Sequence, residues 1–260
     1  MTESNNSIVT LEKLGHLAVV TINRPEARNA INGDVAQNLE LAIDNIESDD
    51  EIWVGILTGK GTVFCAGADL KAISSGQVAQ ITTPKGGFAG FVKRDRSKPF
   101  IAAVDGPALA GGCEIVLACD LVVASKAAKF GIPEVKRALV AAAGGLFRLP
   151  QVLPRNIAME LALTGEPISV ERAFHFGLVN AISEAGDALK VATELAERIC
   201  VNAPLAVRES RKIVLETFAH NAEDLWKLSA VGMANMVSTE DFMEGPMAFI
   251  EKREPVWKGR

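Results

Sequence analysis

The chain has 260 residues, of which 48 % are hydrophobic and 23 % charged, enough for one large domain or one domain with a smaller appendage. Its formal charge of −5 lacks the basic footprint of nucleic-acid and anionic-membrane binders. The polar opening MTESNNSIVT has no basic-then-apolar signal pattern, which predicts a cytoplasmic protein.

HLAVVTINRP, rich in β-branched residues and closed by Asn23-Arg24-Pro25, predicts the first strand. After the turn at Asn32-Gly33, Val35, Leu39, Ala42, Ile43 and Ile46 recur at helical spacing. IWVGILTG, PFIAAVDG and DLVVAS predict three more buried strands, so helical and strand patterns alternate as in an α/β chain. Residues 74–99, rich in Gly, Ser, Thr and charge, predict a surface loop with a little helix that also serves as a mobile wall. The apolar tract from Pro99 to Ser125 contains Asp105, Glu114 and Asp120, which favours a core segment over a membrane span. From Ala203 onward only helices are expected. Val207, Arg211, Val214 and Phe218 would share one face, and Leu225, Leu228, Gly232 and Met236 another. Met243, Met247 and Ile250 continue the pattern, with Pro246 marking a kink or a helix start.

Several chemistries lack their signatures. Cys65, Cys113, Cys119 and Cys200 form no CxxC pair and fit reduced, mostly buried thiols. His16, His175 and His220 form no HExxH, so no metal site is predicted. Neither GxxxxGK[ST] nor a GxGxxG after a strand is present, which argues against the common nucleotide cradles.

Two glycine turns follow strands, GTVFCAGADLK and DGPALAGGCE. Small residues let a backbone approach a ligand, and the helix start after Gly111-Gly112 offers free N–H groups to an oxygen that gains charge. Close packing alone would also explain these glycines. Glu114, among small apolar residues, tips the balance, because an unpartnered carboxylate out of water costs several kcal/mol. Glu134 follows Ile132-Pro133, and two carboxylates in one dry cleft can divide the roles of base and acid. The structural alternatives are a helix cap for Glu114 and a surface pair of Glu134 with Lys136 or Arg137. Asp69 is expected to cap the helix begun by LKAIS, Asp120 to bind backbone amides or a basic group, and Lys71 to face solvent.

NRPEARNAI, FCAGADLK, IAAVDGPALAGGCEIVLACDLVVAS, FGIPE, AMELALTGEPISVERAFHFGLVN and EGPMAFIEKREPVWKGR occur in one order. Together they resemble the crotonase superfamily, the enoyl-CoA hydratase/isomerase family, over nearly the whole chain. The resemblance implies an α/β spiral of β-β-α units over residues 1–200 and a helical trimerisation region over 201–260, as a homotrimer or a dimer of trimers. It implies an acyl-CoA substrate, with coenzyme A as part of the substrate and no separate cofactor. Carried over by position, the amides of Ala68 and Gly111 would form an oxyanion hole, and Glu114 and Glu134 would be base and acid. Ala66, Ala68, Asp69, Leu70, Lys71 and Gly111 would line the CoA side. Phe249 and Lys252 would reach it from a neighbouring subunit.

Two positions depart from the family pattern: Ala110 replaces a glycine of the usual run, and ALVAAAGGLFRLP stands where Pro-Gly-x-Gly-Gly is common. GGFAG and EKREPVWKGR also resemble the branch containing crotonobetainyl-CoA hydratases. The leading expectation is an enoyl-CoA hydratase. A specialised lyase or isomerase of the same superfamily, or a non-catalytic acyl-CoA-binding oligomer, is the alternative.

Overall fold

The computed structural model describes residues 7–260. In chain order its strands are β1 (Val9–Leu14), β2 (Leu17–Ile22), β3 (Val54–Gly59), β4 (Thr82–Thr83), β5 (Gly87–Phe88), β6 (Phe100–Val104), β7 (Ala108–Leu109), β8 (Leu121–Ser125), β9 (Lys129–Gly131), β10 (Ile168–Ser169) and β11 (Ala181–Ser183). Its helices are α1 (Gly33–Ser48), α2 (Leu70–Ser74), α3 (Gly111–Leu117), α4 (Gly145–Val152), α5 (Arg155–Thr164), α6 (Val170–His175), α7 (Ala188–Cys200), α8 (Pro204–Leu215), α9 (Ala222–Val237) and α10 (Asp241–Glu251).

Six strands form the main sheet in the order β1-β2-β3-β6-β8-β11. β1 and β2 are a hairpin, and every later pairing is parallel. The strands predicted from the apolar runs are β2, β3, β6 and β8. Parallel strands need cover on both faces, which is why β6 reads Phe-Ile-Ala-Ala-Val with all five residues buried. α1 covers one face with Leu39, Ile43 and Ile46, and α7 covers the other with Ala192 and Ala196. The Asn32 side chain caps α1 by accepting from the Val35 amide at 3.0 Å. A smaller sheet, in the order β10-β9-β7, runs beside the first, with Leu109 of β7 opposite Gly131 of β9.

The 74–99 segment departs from its expected surface character. Its first half holds a short 3₁₀ turn, Val78–Ile81, but Ala89, Phe91 and Val92 are core residues. Arg96 fixes this half: its guanidinium lies 4.2 Å from the Phe91 ring centroid and donates to the Phe91 carbonyl at 3.1 Å and to Ala118 at the end of α3. Apolar contacts of residues spaced irregularly through a glycine-rich stretch overrode the local polarity.

The C-terminal helices also differ in detail. On α8 the Val207-Arg211-Val214-Phe218 face is not buried as a unit, because the helix ends at Leu215 and Val214 and Phe218 face solvent. Arg211 is the contact to the body: it pairs with Asp120 at 2.9 Å and donates to the Arg96 carbonyl. α9 does turn Leu225, Leu228, Gly232 and Met236 inward. α10 runs through Pro246, with Ala248 buried and Met243, Met247 and Ile250 exposed. Among the described residues, no helix is long and apolar enough to cross a membrane.

Lys98 is fully buried, and its ammonium donates to the carbonyls of Ile46 and Asp49 (2.7 Å to Asp49) at the C-terminal end of α1. Each carbonyl also accepts from a backbone amide, Ile46 from Asp49 at 3.4 Å and Asp49 from Ile52 at 2.9 Å, so Lys98 adds a second, charged donor to the end of α1. Lys98→Met keeps the volume and removes both charge-assisted bonds, leaving each carbonyl its backbone donor alone. The unfolding free energy from urea titration should fall by about 1–3 kcal/mol. An unchanged or raised midpoint would mean that burying the ammonium costs more than its two bonds return.

Candidate functional site

The two glycine turns meet backbone to backbone. Cys65 and Ala108 form a parallel bridge, with the Cys65 amide facing the Pro107 carbonyl and the Leu109 amide donating to the Cys65 carbonyl at 3.0 Å. Two glycines make the approach possible, and a third makes room for Phe88. A side-chain carbon on Gly112 would lie 2.1 Å from the Cys65 carbonyl oxygen, and one on Gly67 would lie 2.8 Å from the Ala110 methyl. On Gly111 it would strike the Phe88 ring at 2.4 Å.

Two amides in this contact stand apart, those of Ala68 and Gly111, the latter only 2.9 Å from where a side-chain carbon on Gly67 would lie. Ile31 bridges the first turn by accepting from the Asp69 amide at 2.9 Å and donating to the Gly67 carbonyl at 2.8 Å. The intervening Ala68 amide therefore points the other way. Gly111 is the first residue of α3, where no preceding turn supplies an acceptor. Among the described residues, neither amide has a protein acceptor. The sequence places Ala110 in the usual glycine position here. It takes φ 51 and ψ −129, a region that costs a non-glycine residue of order 1–3 kcal/mol. Hydrogen bonds hold it there: its amide donates to Gly131 at 2.9 Å, and its carbonyl accepts from the Cys113 and Glu114 amides.

Glu114, in the first turn of α3, is only 3 % exposed. It is not a simple helix cap, because its Oε1 reaches across to accept from the Gly145 amide at 2.9 Å. Burial raises its carboxyl above the ordinary carboxylate range. The Gly145 and Ala143 amides and the positive charge of Arg148 oppose that rise.

Glu134 sits in a 3₁₀ turn, Pro133–Arg137, three residues beyond the Gly131 carbonyl that holds Ala110. Its Oε2 is buried with no hydrogen-bond partner among the described residues. Burial pushes its carboxyl from 4.5 up to about 7; its own amide opposes this and the nearby charge of Glu114 adds to it. Of the two surface partners considered from sequence, Lys136 and Arg137, the first pairs with Glu166 instead.

The remaining candidates divide by position. Asp69 caps α2 by accepting from the Lys71 amide at 2.9 Å and also pairs with Arg24 at 2.6 Å, while Lys71 and Leu70 are exposed beside it. Ala66 is half-buried in the same turn. Phe249 and Lys252 are exposed at the end of α10. Gly145, Arg148 and Phe88 touch the site but were not singled out from the sequence. The paired glycines before an amphipathic helix were the only local sign of the first two.

A model of the enoyl-CoA hydratase/isomerase family matches residues 12–260. The carnitinyl-CoA dehydratase of Salmonella typhimurium is 38 % identical over 256 residues, 96 % of this chain and 98 % of that protein. The crystal structure of an enoyl-CoA hydratase from Mycobacterium tuberculosis superposes with a TM-score of 0.95 at 45 % identity, covering 98 % of this chain and 100 % of the other. A carnitinyl-CoA hydratase structure from Mycobacterium avium gives 0.77 at 43 % identity, with 98 % and 100 % covered.

The raised Glu134 carboxyl has a measurable consequence for stability. The folded chain binds a proton more tightly than the unfolded one, so this group's contribution is full below about pH 4.5 and is lost as pH rises toward about 7. Glu134→Gln removes the ionisation. The variant should melt near the wild type at about pH 5 and above it at about pH 8, with the gap widening between them. A gap independent of pH would show that Glu134 titrates as a solvated carboxylate.

Proposed function

Because the chain belongs to the enoyl-CoA hydratase/isomerase family, we propose that it is an enoyl-CoA hydratase, adding water across the C2=C3 bond of a 2-enoyl-CoA thioester. One observation carries the reading. Glu114 is buried and bonded to the Gly145 amide, half-buried Glu134 has an unpartnered Oε2 and feels the charge of Glu114, and the Ala68 and Gly111 amides lack protein acceptors among the described residues: the minimum equipment for moving a proton while holding a developing oxyanion.

In this reading the thioester oxygen accepts from the Ala68 and Gly111 amides. Removing one such donor typically costs about 3–4 kcal/mol of transition-state stabilisation. Glu114, ionised, takes a proton from water as the oxygen attacks C3. The C2=C3 electrons move toward the thioester, and the enolate-like charge rests on the two amides. Glu134, protonated, then delivers its proton to C2. Its carboxyl titrating near 7 suits a donor that holds its proton close to neutrality. Reversal of each step gives dehydration of a 3-hydroxyacyl thioester.

Coenzyme A enters as part of the substrate and no separate cofactor takes part. Lys71, exposed just past the Ala68 amide, is suited to a CoA phosphate, with Ala66, Asp69 and Leu70 along the same wall. Exposed Leu139 and Val140, in the segment joining Glu134 to the Gly145 turn, favour an aliphatic acyl group. A second reading, dehydration of carnitinyl-CoA, is supported by the relatives that carry that name. It uses the same two acids on a charged acyl group.

Residues 201–260 would form the oligomerisation region. Trp226 and Phe249 are 76 % and 85 % exposed, and such side chains are commonly covered in an assembly. A homotrimer or dimer of trimers would cover them and carry Phe249 and Lys252 to a neighbour's CoA. Sedimentation should give the mass of three or six chains; a monomer at micromolar concentration would sink this arrangement.

The activity is tested by following loss of enoyl-thioester absorbance with crotonyl-CoA, in parallel with crotonobetainyl-CoA. Glu114→Gln and Glu134→Gln should each lower kcat by about 10²–10⁴-fold while still binding CoA thioester. Higher kcat/KM for crotonobetainyl-CoA would select the carnitine reading. Unaltered turnover in both variants would exclude the two-acid mechanism.

A further inference from the structure

The turn that grips Glu114 is itself held from outside. Arg148 lies in the first turn of α4, and its side chain folds back over Gly144. One guanidinium nitrogen, Nη1, donates to the Ala143 carbonyl at 3.2 Å. The other, Nη2, donates to the Val92 carbonyl at 2.7 Å, in the buried half of the 74–99 segment. Gly144, with φ 110, lies directly beneath: a side-chain carbon there would sit 2.0 Å from Nη1. The Gly145 amide, next in the chain, donates to Glu114. A carbon on Gly145 would lie 3.1 Å from Glu114 Cγ, so this turn also presses against the carboxylate stem.

We propose that Arg148 is the positioning residue for Glu114: by tying the 143–145 turn to the Val92 main chain, it fixes the amide that orients the base and gives Glu114 a cationic neighbour that Glu134 lacks. The role named for Glu114 rests on the hydratase reading; the mechanical tie does not.

The asymmetry between the two acids supports this assignment. Arg148, itself half-buried, lowers the proton affinity of Glu114 and is felt in turn by Glu114 and the Cys119 thiol. The other titratable groups near Glu114 are Glu134 and the buried Cys113 thiol, and neither favours its ionised form. Glu134 feels burial and the charge of Glu114, both of which keep its proton on. Two carboxylates in one cleft thus become a base and an acid because one faces a guanidinium and the other does not.

Arg148→Met removes the charge and both bonds; Arg148→Lys keeps the charge and loses the fork. In the full-length protein, kcat for crotonyl-CoA should fall about 10–100-fold in Arg148→Met with KM little changed, as expected when a catalytic group is misplaced rather than lost. The acid limb of its kcat–pH profile should move to higher pH, since Glu114 then holds its proton longer. Hydrogen exchange in the peptide covering 139–149 should quicken. Arg148→Lys should restore the acid limb toward the wild-type position but not the exchange protection.

An Arg148→Met variant with wild-type acid limb and exchange would overturn the proposal. If that variant does not fold, Arg148→Lys decides: wild-type kcat and exchange overturn the proposal, and faster exchange supports it. If the wild type fails to hydrate crotonyl-CoA, the hydratase reading falls alone. Exchange at 139–149 then still judges the tie, supporting it if faster in Arg148→Met and refuting it if unchanged.

Discussion

Everything at this site depends on two turns touching through their main chains. Gly67 and Gly112 remove the side chains that would hold the turns apart, and the Cys65–Ala108 bridge closes the gap with hydrogen bonds. Backbone amides are strong donors with almost no conformational freedom once the chain is fixed. Donors built this way need no reorganisation as charge develops, the property that makes electrostatic preorganisation effective. The large sheet beneath serves this contact. β3 and β6, paired in parallel at the centre of the sheet, deliver the starts of both turns at the C-terminal end of its strands.

The same arrangement carries an energetic burden. Glu114 and Glu134 both hold protons more tightly than exposed carboxylates, each chiefly because of burial. Ala110 adds backbone strain of its own. A chain selected for stability alone would keep neither carboxylate indoors. Such concentrations of cost are compensated elsewhere in a fold. Here the compensation includes buried strands on a two-faced sheet and buried cations that finish main-chain ends. Lys98 closes α1, and Arg96 ties the 74–99 segment to α3.

The legibility of these features in the sequence follows the range of the forces involved. β2, β3, β6 and β8 were visible because a strand covered on both faces must be apolar throughout its length. The caps at Asn32 and Asp69 bind amides two or three residues away and were equally open to reading, as was the attachment of Asp120 to a basic group. Glu114 stood out because an acid among small apolar residues has few innocent uses. The burial of Ala89, Phe91 and Val92 did not, since their partners come from elements distant in sequence and glycines break the local period. The outward turn of Val214 and Phe218 escaped notice for a related reason: helical spacing gives a face, but the body decides which face to accept, and it accepted Arg211 through Asp120. The meeting of Glu114 with Gly145, 31 residues on, is a tertiary event with no local trace.

The hydrogen bond from the Ala110 amide to the Gly131 carbonyl links the elements that bear the two acids through main-chain atoms. No side chain takes part in that link, so drift in side-chain identity around it does not remove it. Leu139 and Val140 are exposed and take no part in that link. Under the proposed hydratase reading, replacements on that exposed stretch would change the groups that meet the acyl chain and leave the join between the acid-bearing elements untouched, a route to new thioester specificities through a few surface positions.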